Sequence, residues 1–130
     1  MIVVDASALL ELLLRTAAAP AVEARLFGPG ETVHAPHLID IEVAHVVRRY
    51  AAAGDIDDDR GREAVADLAD FPLHRYPHDL LLPRLWELRH NLTAYDAAYV
   101  VLAEALDAPL LTCDRRLAAA TGHRARIEIA

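Results

Sequence analysis

The sequence predicts an α/β protein in which a parallel sheet is covered by helices on both faces. Short runs of aliphatic and β-branched residues alternate along the chain with longer segments whose apolar residues recur at helical spacing. The strand-like runs are apolar throughout, which is typical of strands buried on both faces of a sheet. With 130 residues, of which 55% are hydrophobic, the chain is long enough to bury one core. We therefore expect a single domain over residues 1–130.

The first half of the chain predicts two strands and four helices. MIVVDAS is a short buried strand that leads into the helix SALLELLLR, with Ser7 as its expected cap. PAVEARLF begins with proline at a favoured first-turn position and ends at GPG. ETVHAP is the second strand, and HLIDIEVAHVVRRYAAAG is a helix that stops at Gly54. DIDDDRGREAVADLAD is the next helix. The expected apolar face of the helix before Gly54 consists of Ile39, Val43, Val46, Val47 and Tyr50.

The second half continues the alternation. FPLHRYP is a strand between two prolines, and HDLLLPRLWELRHN is helical, with Pro83 marking a kink or its first turn. TAYDAAYVVLAEALD is a strongly apolar helix, PLLTCD a buried strand, RRLAAATG a short helix and RARIEIA a final strand. This alternation of strands and helices predicts the parallel sheet.

Composition excludes several classes of function. The 13 basic residues are all arginine, so the lysine that a P-loop places on phosphates is missing, which excludes P-loop ATPases and GTPases. The missing lysine also argues against receiver domains and haloacid-dehalogenase-like phosphatases. The formal net charge of −7 argues against binding nucleic acid by bulk electrostatics. One cysteine, Cys113, excludes an internal disulfide, and no uncharged apolar run is long enough to span a membrane. We expect a soluble cytoplasmic protein.

Four acidic residues lie where apolar segments begin or end. Asp5 and Asp114 follow predicted strands, whereas Glu42 and Asp96 lie early in predicted helices, so all four are expected at the carboxyl edge of the sheet. Buried carboxylates are costly unless they are hydrogen-bonded or bind a metal, and clustered ones repel each other. An all-oxygen ligand set favours Mg²⁺ or Mn²⁺. We predict a divalent-cation site there, with hydroxyl groups of Ser7 and Thr112 beside it.

Each acid also has an ordinary structural explanation. Asp96 completes the capping-box pattern that begins at Thr93, and Asp5 and Asp114 are well placed to cap helices. An ion pair with Arg49 or Arg89 is the structural alternative for Glu42. The seven histidines form no HExxH or HxH pattern and the cysteine is alone, so zinc is not favoured.

Three blocks of sequence together carry a family resemblance. They are the opening IVVDAS, the helix segment DIEVAHVVRR and the segment LTAYDAAYVVLAEALDAPLLTCDRRL. In order and spacing the chain resembles the PIN-domain nucleases over nearly its full length, and most closely the VapC-type ribonuclease toxins of type II toxin–antitoxin systems. The third block is the most specific of the three, because T-x-Y-D-A-A-Y-V followed by L-L-T-x-D is typical of that family.

The resemblance implies an α/β/α sandwich with a five-stranded parallel sheet, and a metal-dependent endoribonuclease. It implies that Asp5, Glu42, Asp96 and Asp114 bind Mg²⁺ or Mn²⁺ and that Ser7 and Thr112 support them. It also implies a homodimer and inhibition by a small cognate antitoxin. Some relatives carry a further acid two residues after the fourth, where this chain has Arg116. The alternatives are a catalytically silent PIN-fold binding or regulatory module and a housekeeping PIN nuclease.

Two surfaces are expected to serve the function. A negatively charged chain that binds RNA needs local cationic patches, and the candidates are the arginine pairs that follow site residues: Arg48, Arg49, Arg115 and Arg116. The leucine-rich segments SALLELLL and LLLPRLWELR are expected either in the core, in a homodimer interface or in a groove for an antitoxin.

Overall fold

The computed structural model describes residues 1–130 and contains one parallel sheet of five strands. The strands are β1 (Ile2–Val4), β2 (Val33–Pro36), β3 (Leu73–Tyr76), β4 (Leu110–Thr112) and β5 (Ile127–Ile129). Their order across the sheet is β3-β2-β1-β4-β5, and every neighbouring pair is parallel. The predicted α/β fold with a five-stranded parallel sheet is confirmed.

Helices cover both faces of this sheet. They are α1 (Ala6–Leu13), α2 (Ala19–Leu26), α3 (Leu38–Ala52), α4 (Asp58–Asp70), α5 (Leu82–Glu87), α6 (Ala94–Leu106) and α7 (Arg115–Ala118), with a 3₁₀ turn at Asp79–Leu81 before α5. The connections from β1 to β3 run in one direction across the sheet, and those from β3 to β5 run back. Because such crossovers are right-handed, α1 to α4 lie on one face, and α5 and α6 lie on the other.

Local chemistry sets the helix ends. Asp5, not Ser7, caps α1, since the Asp5 carboxylate accepts the Ala8 N–H at 3.0 Å. The possible cap at Ser7 was therefore wrong, because the helix begins at Ala6, two residues earlier than a cap at Ser7 requires. Gly54 follows α3 with a φ of +79°, a conformation that glycine adopts without strain. Pro83 lies in the first turn of α5 and does not kink it.

The core is aliphatic and lies on both sides of β1. All three residues of β1 are fully buried, and the leucines of α1 at Leu9, Leu10 and Leu13 pack into the same cluster. The leucine-rich α1 is therefore mainly a core element. No helix combines the length and the apolar character that crossing a membrane requires.

One residue of the expected apolar face of α3 is not in the core. Ile39, Val43 and Val47 are buried, and Val46 is partly buried against them, but the side chain of Tyr50 is 37% exposed. Tyr50 instead lines the cleft described below. The helical spacing of apolar residues does not by itself distinguish a core residue from a residue at the rim of a cleft.

Candidate active site

The strand order places a crevice between β1 and β4. From β1 the chain continues to β2 on one side, and after β3 it returns to β4 on the other side. Ligands bind at such a switch point, beyond the carboxyl ends of the strands. Asp5 follows β1 directly and Asp114 lies two residues after β4, so their two chain segments border this crevice.

Asp5 is buried and held by neutral donors. Its Oδ1 accepts bonds from the Ser7 hydroxyl at 2.7 Å and the Ala8 N–H at 3.0 Å, and its Oδ2 accepts the Thr112 hydroxyl at 2.5 Å. Burial raises the pKa of the Asp5 carboxyl, although these three hydrogen bonds act in the opposite direction. No arginine pairs with it, so the site holds this carboxylate in place without neutralising it.

Ser7 and Thr112 also join the ends of the two strands. The Ser7 hydroxyl accepts the Cys113 N–H at 2.9 Å, and the Thr112 hydroxyl accepts the Asp114 N–H at 2.9 Å. The two hydroxyl oxygens are 3.2 Å apart. Each hydroxyl thus contacts Asp5 on one side and the backbone after β4 on the other, which ties Asp5 to the segment that carries Asp114.

Glu42 is held by an aromatic hydroxyl. The hydroxyl of Tyr99, in α6, donates to Glu42 Oε1 at 2.6 Å. Glu42 forms no ion pair, so the expected structural alternative, a bond to Arg49 or Arg89, was wrong. Burial raises the pKa of the Glu42 carboxyl, and the Tyr99 hydroxyl partly offsets this effect. Burial and the bond to Glu42 raise the pKa of Tyr99 far above its ordinary value, so its hydroxyl stays protonated as a donor.

Asp96 and Asp114 differ in how far they act as helix caps. The Thr93 hydroxyl caps α6 by accepting the Asp96 N–H at 3.2 Å, but the Asp96 carboxylate does not return the bond to the Thr93 amide. Asp114 does cap α7, since its Oδ1 accepts the Arg116 N–H at 2.9 Å and the Leu117 N–H at 3.4 Å. The Asp96 carboxylate therefore does not complete the capping box of α6, and Asp114 keeps Oδ2 free of backbone bonds.

All four acids line one cleft with a volume of about 510 Å³. Its walls are contributed mainly by α1, α3 and α6 and consist of Asp5, Ala6, Ser7, Leu10, Glu11, Glu42, His45, Val46, Arg49, Tyr50, Asp96, Tyr99, Asp114 and Arg116. Burial raises the pKa of Asp96, and the charge of Asp114 raises it further. Asp96 and Asp5 in turn add to the raised pKa of Glu42. Like charges that act on one another in this way leave a need for positive charge in the cleft.

The donor atoms of the cleft suit a hard divalent cation. After the structural hydrogen bonds are made, Glu42 Oε2 and Asp114 Oδ2 accept no bond from the protein, and Thr93 is the one side chain that hydrogen-bonds the Asp96 carboxyl. Oxygen ligands of this kind are those that Mg²⁺ and Mn²⁺ prefer. No three of the acids are close enough in this structure to hold one ion between them. The set therefore fits a cation by chemistry and location, with water molecules needed to complete its coordination.

The four candidate arginines are divided between different surfaces. Arg49 and Arg116 line the cleft, and Arg116 lies 3.8 Å from Asp114 Oδ2. Arg48 lines a separate groove between α3 and α4, and Arg115 is exposed outside the cleft. Each of the two arginine pairs therefore contributes one side chain to the cleft, Arg49 from the first pair and Arg116 from the second.

Sequence reasoning missed Tyr99 and the further cleft residues Glu11, His45 and Tyr50. A signal for Tyr99 was present, because it lies three residues after Asp96 and so on the same side of α6. A tyrosine in an otherwise aliphatic buried helix needs a partner for its hydroxyl. The sequence did not show that Glu42 would be that partner.

Comparisons with known proteins agree with this architecture. The PIN domain family matches residues 2–122. Ribonuclease VapC12 of Mycobacterium tuberculosis is 46% identical over 129 residues, which cover 99% of this chain and 98% of the relative. Ribonuclease VapC1 of the same organism is 44% identical over 128 residues, which cover 98% and 96% of the two chains.

Solved structures show the same fold. VapC20 of Mycobacterium tuberculosis, described as a toxin that cleaves the sarcin–ricin loop, superposes with a TM-score of 0.69 at 17% identity and covers 95% of this chain and 97% of its own. PAE2754 of Pyrobaculum aerophilum superposes with a TM-score of 0.68 at 30% identity and covers 97% and 81% of the two chains. With a full-length family match, near-complete relatives and a shared fold, the chain belongs to the PIN-domain family and, within it, to the VapC ribonucleases.

Proposed function

We propose that this protein is a Mg²⁺- or Mn²⁺-dependent endoribonuclease toxin that hydrolyses RNA phosphodiester bonds. The observation that carries the proposal is the cleft at the switch point, which is lined by Asp5, Glu42, Asp96 and Asp114 with no arginine paired to the first three. The relatives that cover nearly the whole chain are named ribonucleases. The four carboxylates are proposed as the metal ligands, with Ser7 and Thr112 as their support.

The chain's own groups divide the catalytic work between them. Asp5, fixed by three donors, anchors the site, while Asp96 and Glu42 present carboxylate oxygens from α6 and α3. A cation held by these carboxylates would lower the pKa of water and stabilise negative charge on the attacked phosphate and the leaving oxygen. One of the four carboxylates is proposed to accept a proton from the attacking water.

Cationic side chains around the cleft are proposed to bind the RNA backbone. Arg49 and Arg116 are the two that line it, whereas Arg48 and Arg115 belong to more distant surfaces that a longer RNA reaches. Each arginine that contacts a phosphate adds to the salt dependence of binding. A net charge of −7 does not prevent this, because the contacts are local.

A small cognate antitoxin is the proposed inhibitor, and a homodimer the proposed assembly. The segment 80–86 exposes large apolar side chains, with Leu80 84%, Leu82 55% and Trp86 66% exposed. Exposed apolar groups in one segment mark an interaction surface more often than an isolated one does. Of the two leucine-rich segments, this one is therefore the proposed interface, since α1 is largely used by the core.

The test is cleavage of RNA by the purified protein, free of any partner, with and without Mg²⁺ or Mn²⁺. Cleavage that requires the cation and stops on chelation supports the proposal. A protein that binds the cation and RNA without cleaving would instead be the silent binding module. If the protein cleaves RNA but no small inhibitor is encoded beside its gene, a housekeeping nuclease would be favoured over a toxin.

A further inference from the structure

The Glu42 carboxylate depends on one neutral side chain. Tyr99 is 2% exposed, and its hydroxyl donates to Glu42 Oε1 at 2.6 Å across the boundary between α3 and α6. Glu42 forms no ion pair and accepts no second hydrogen bond from the protein. The orientation of this carboxylate therefore rests on a single buried hydroxyl.

We propose that Tyr99 is a positioning residue for the metal site, which holds Glu42 Oε1 so that Oε2 is presented to a cation. The proposal rests on the proposed metal-dependent function and adds a residue that acts on the metal through Glu42. Side chains that hydrogen-bond to a metal-binding carboxylate fix its orientation and influence the metal affinity.

A hydroxyl suits this role better than a cationic group does. An arginine paired to Glu42 would neutralise the charge that attracts a cation, as arginines do for Glu104 elsewhere in the molecule. The Tyr99 hydroxyl supplies one hydrogen bond and no net charge. Glu42 is thereby kept in place while its charge remains available.

The position of Tyr99 on α6 also links two of the four acids. Tyr99 lies three residues after Asp96, so both side chains leave α6 on the same side and line the same cleft. The bond from Tyr99 to Glu42 consequently ties the α3 acid to the helix that carries Asp96. Without the bond from Tyr99, the distance between the Glu42 and Asp96 carboxylates would depend only on how the helices pack.

The experiment compares Mn²⁺ affinity in the purified full-length protein and in Tyr99→Phe, by calorimetric titration and by the electron paramagnetic resonance signal of bound Mn²⁺. Phenylalanine keeps the ring and removes only the hydroxyl. We expect affinity to fall about 10- to 100-fold. We also expect cleavage at saturating Mn²⁺ to change less than the Mn²⁺ concentration needed for half activity.

The matched control is Tyr76→Phe. The Tyr76 hydroxyl bonds His34 Nδ1, also at 2.6 Å, but Tyr76 lies outside the cleft. Tyr76→Phe should therefore retain wild-type Mn²⁺ affinity even if its melting temperature falls. A purely structural role for Tyr99 would lower the melting temperature of Tyr99→Phe in the same way and leave its Mn²⁺ affinity unchanged.

A second comparison tests whether the Tyr99 hydroxyl acts through the Glu42 carboxylate. Glu42→Gln is combined with Tyr99→Phe, and Mn²⁺ affinity is measured for both single variants and the double variant. The proposal expects the effect of Tyr99→Phe to be much smaller once Glu42 is replaced, because the hydroxyl acts through that carboxylate. Equal effects in both backgrounds would overturn it.

The remaining outcomes separate this proposal from the ribonuclease assignment. Wild-type protein that binds Mn²⁺ without cleaving RNA would contradict the proposed function, and the affinity comparison would still decide the role of Tyr99. Wild-type affinity in Tyr99→Phe overturns the positioning role while leaving the nuclease intact. A wild-type protein that binds no Mn²⁺ overturns the positioning role as well.

Discussion

Two carboxylates whose side chains have little contact with solvent differ in how their charge is compensated. The Glu104 side chain is 5% exposed and is covered by arginines, with Arg84 Nε 3.0 Å from its Oε1 and Arg124 Nε 3.6 Å from its Oε2. Asp5 is 6% exposed and has no cationic partner at all, only hydroxyl and amide donors. Arginines therefore compensate the charge of the less buried acid, whereas the more deeply buried Asp5 receives no charge compensation from a basic side chain.

The pKa shifts follow this difference. Hydrogen bonding from Arg84 lowers the pKa of Glu104, so its negative charge is stabilised within the protein. Burial raises the pKa of Asp5, and the same cause raises those of Glu42 and Asp96. Nine of the 13 arginines contact a carboxylate and four contact none, so arginines remain that do not pair with these three acids. The lack of such pairs for these three acids therefore points to a charge supplied from outside the chain.

Asp96→Asn is expected to give the largest effect. Removing this carboxylate should reduce Mn²⁺-dependent RNA cleavage by more than about a hundredfold, because the variant lacks a proposed metal ligand and its charge. The folded protein should not be destabilised, since the variant relieves repulsion with Asp114. Initial cleavage rates and a denaturant titration of the same metal-free preparation measure the two quantities.

Glu104→Gln is the reciprocal control for that variant. It should leave the cleavage rate near that of the wild type and lower the free energy of unfolding by about 1–3 kcal/mol, because it breaks charge-assisted bonds to Arg84 and Arg124. If Glu104→Gln abolished cleavage, or if Asp96→Asn unfolded the protein, the contrast between a functional and a structural set of acids would be wrong.

The sequence was sufficient to predict the fold because each element has a local signal. The uninterrupted apolar runs at β1 and β4, the proline in the first turn of α5 and Gly54 after α3 all act within a few residues. The gathering of the four acids at one edge also followed from the strand–helix order. These features depend on connectivity and not on side-chain packing.

The partners of the acids could not be predicted in the same way. Whether Glu42 would bond an arginine or Tyr99 depends on how α3 and α6 face each other, and 57 residues separate the two partners in the chain. Likewise Arg48 and Arg49 are neighbours in sequence, but they line different grooves because successive helical residues point about 100° apart. Roles that depend on which sides of two helices face each other could be assigned only from the structure.

The pH dependence of stability should differ in sign between the two sets of acids. The pKa of Asp96 is raised above its unfolded value of 3.8, so its contribution is fully present below about pH 4 and is lost as pH rises through the folded pKa. The pKa of Glu104 is lowered from 4.5, so its contribution is present above that value and lost as pH falls through the folded pKa.

Unfolding titrations of metal-free protein between about pH 4 and pH 7 measure this difference. Asp96→Asn should gain stability relative to the wild type as pH rises, whereas the deficit of Glu104→Gln should shrink as pH falls below about 4.5. Saturating Mn²⁺ should remove the gain of Asp96→Asn, because the cation stabilises the charged wild-type cleft. Parallel pH profiles for the two variants would contradict the distinction.

The smallest expected effect concerns the unpaired arginines. Arg48 and Arg49 are both exposed and both lack a carboxylate partner, but only Arg49 lines the acidic cleft. Arg49→Ala should weaken RNA binding several-fold, by about 1 kcal/mol, and reduce the salt slope of binding by about one unit. Arg48→Ala changes the net charge equally and should do less on a short RNA that only fills the cleft. Fluorescence anisotropy of a labelled oligoribonucleotide across a salt titration, in an Asp96→Asn background that prevents cleavage, measures the RNA affinity of both variants.

Equal losses of affinity for the two variants would mean that RNA responds to overall charge, whereas a loss confined to Arg49→Ala would place the RNA backbone along the cleft wall of α3.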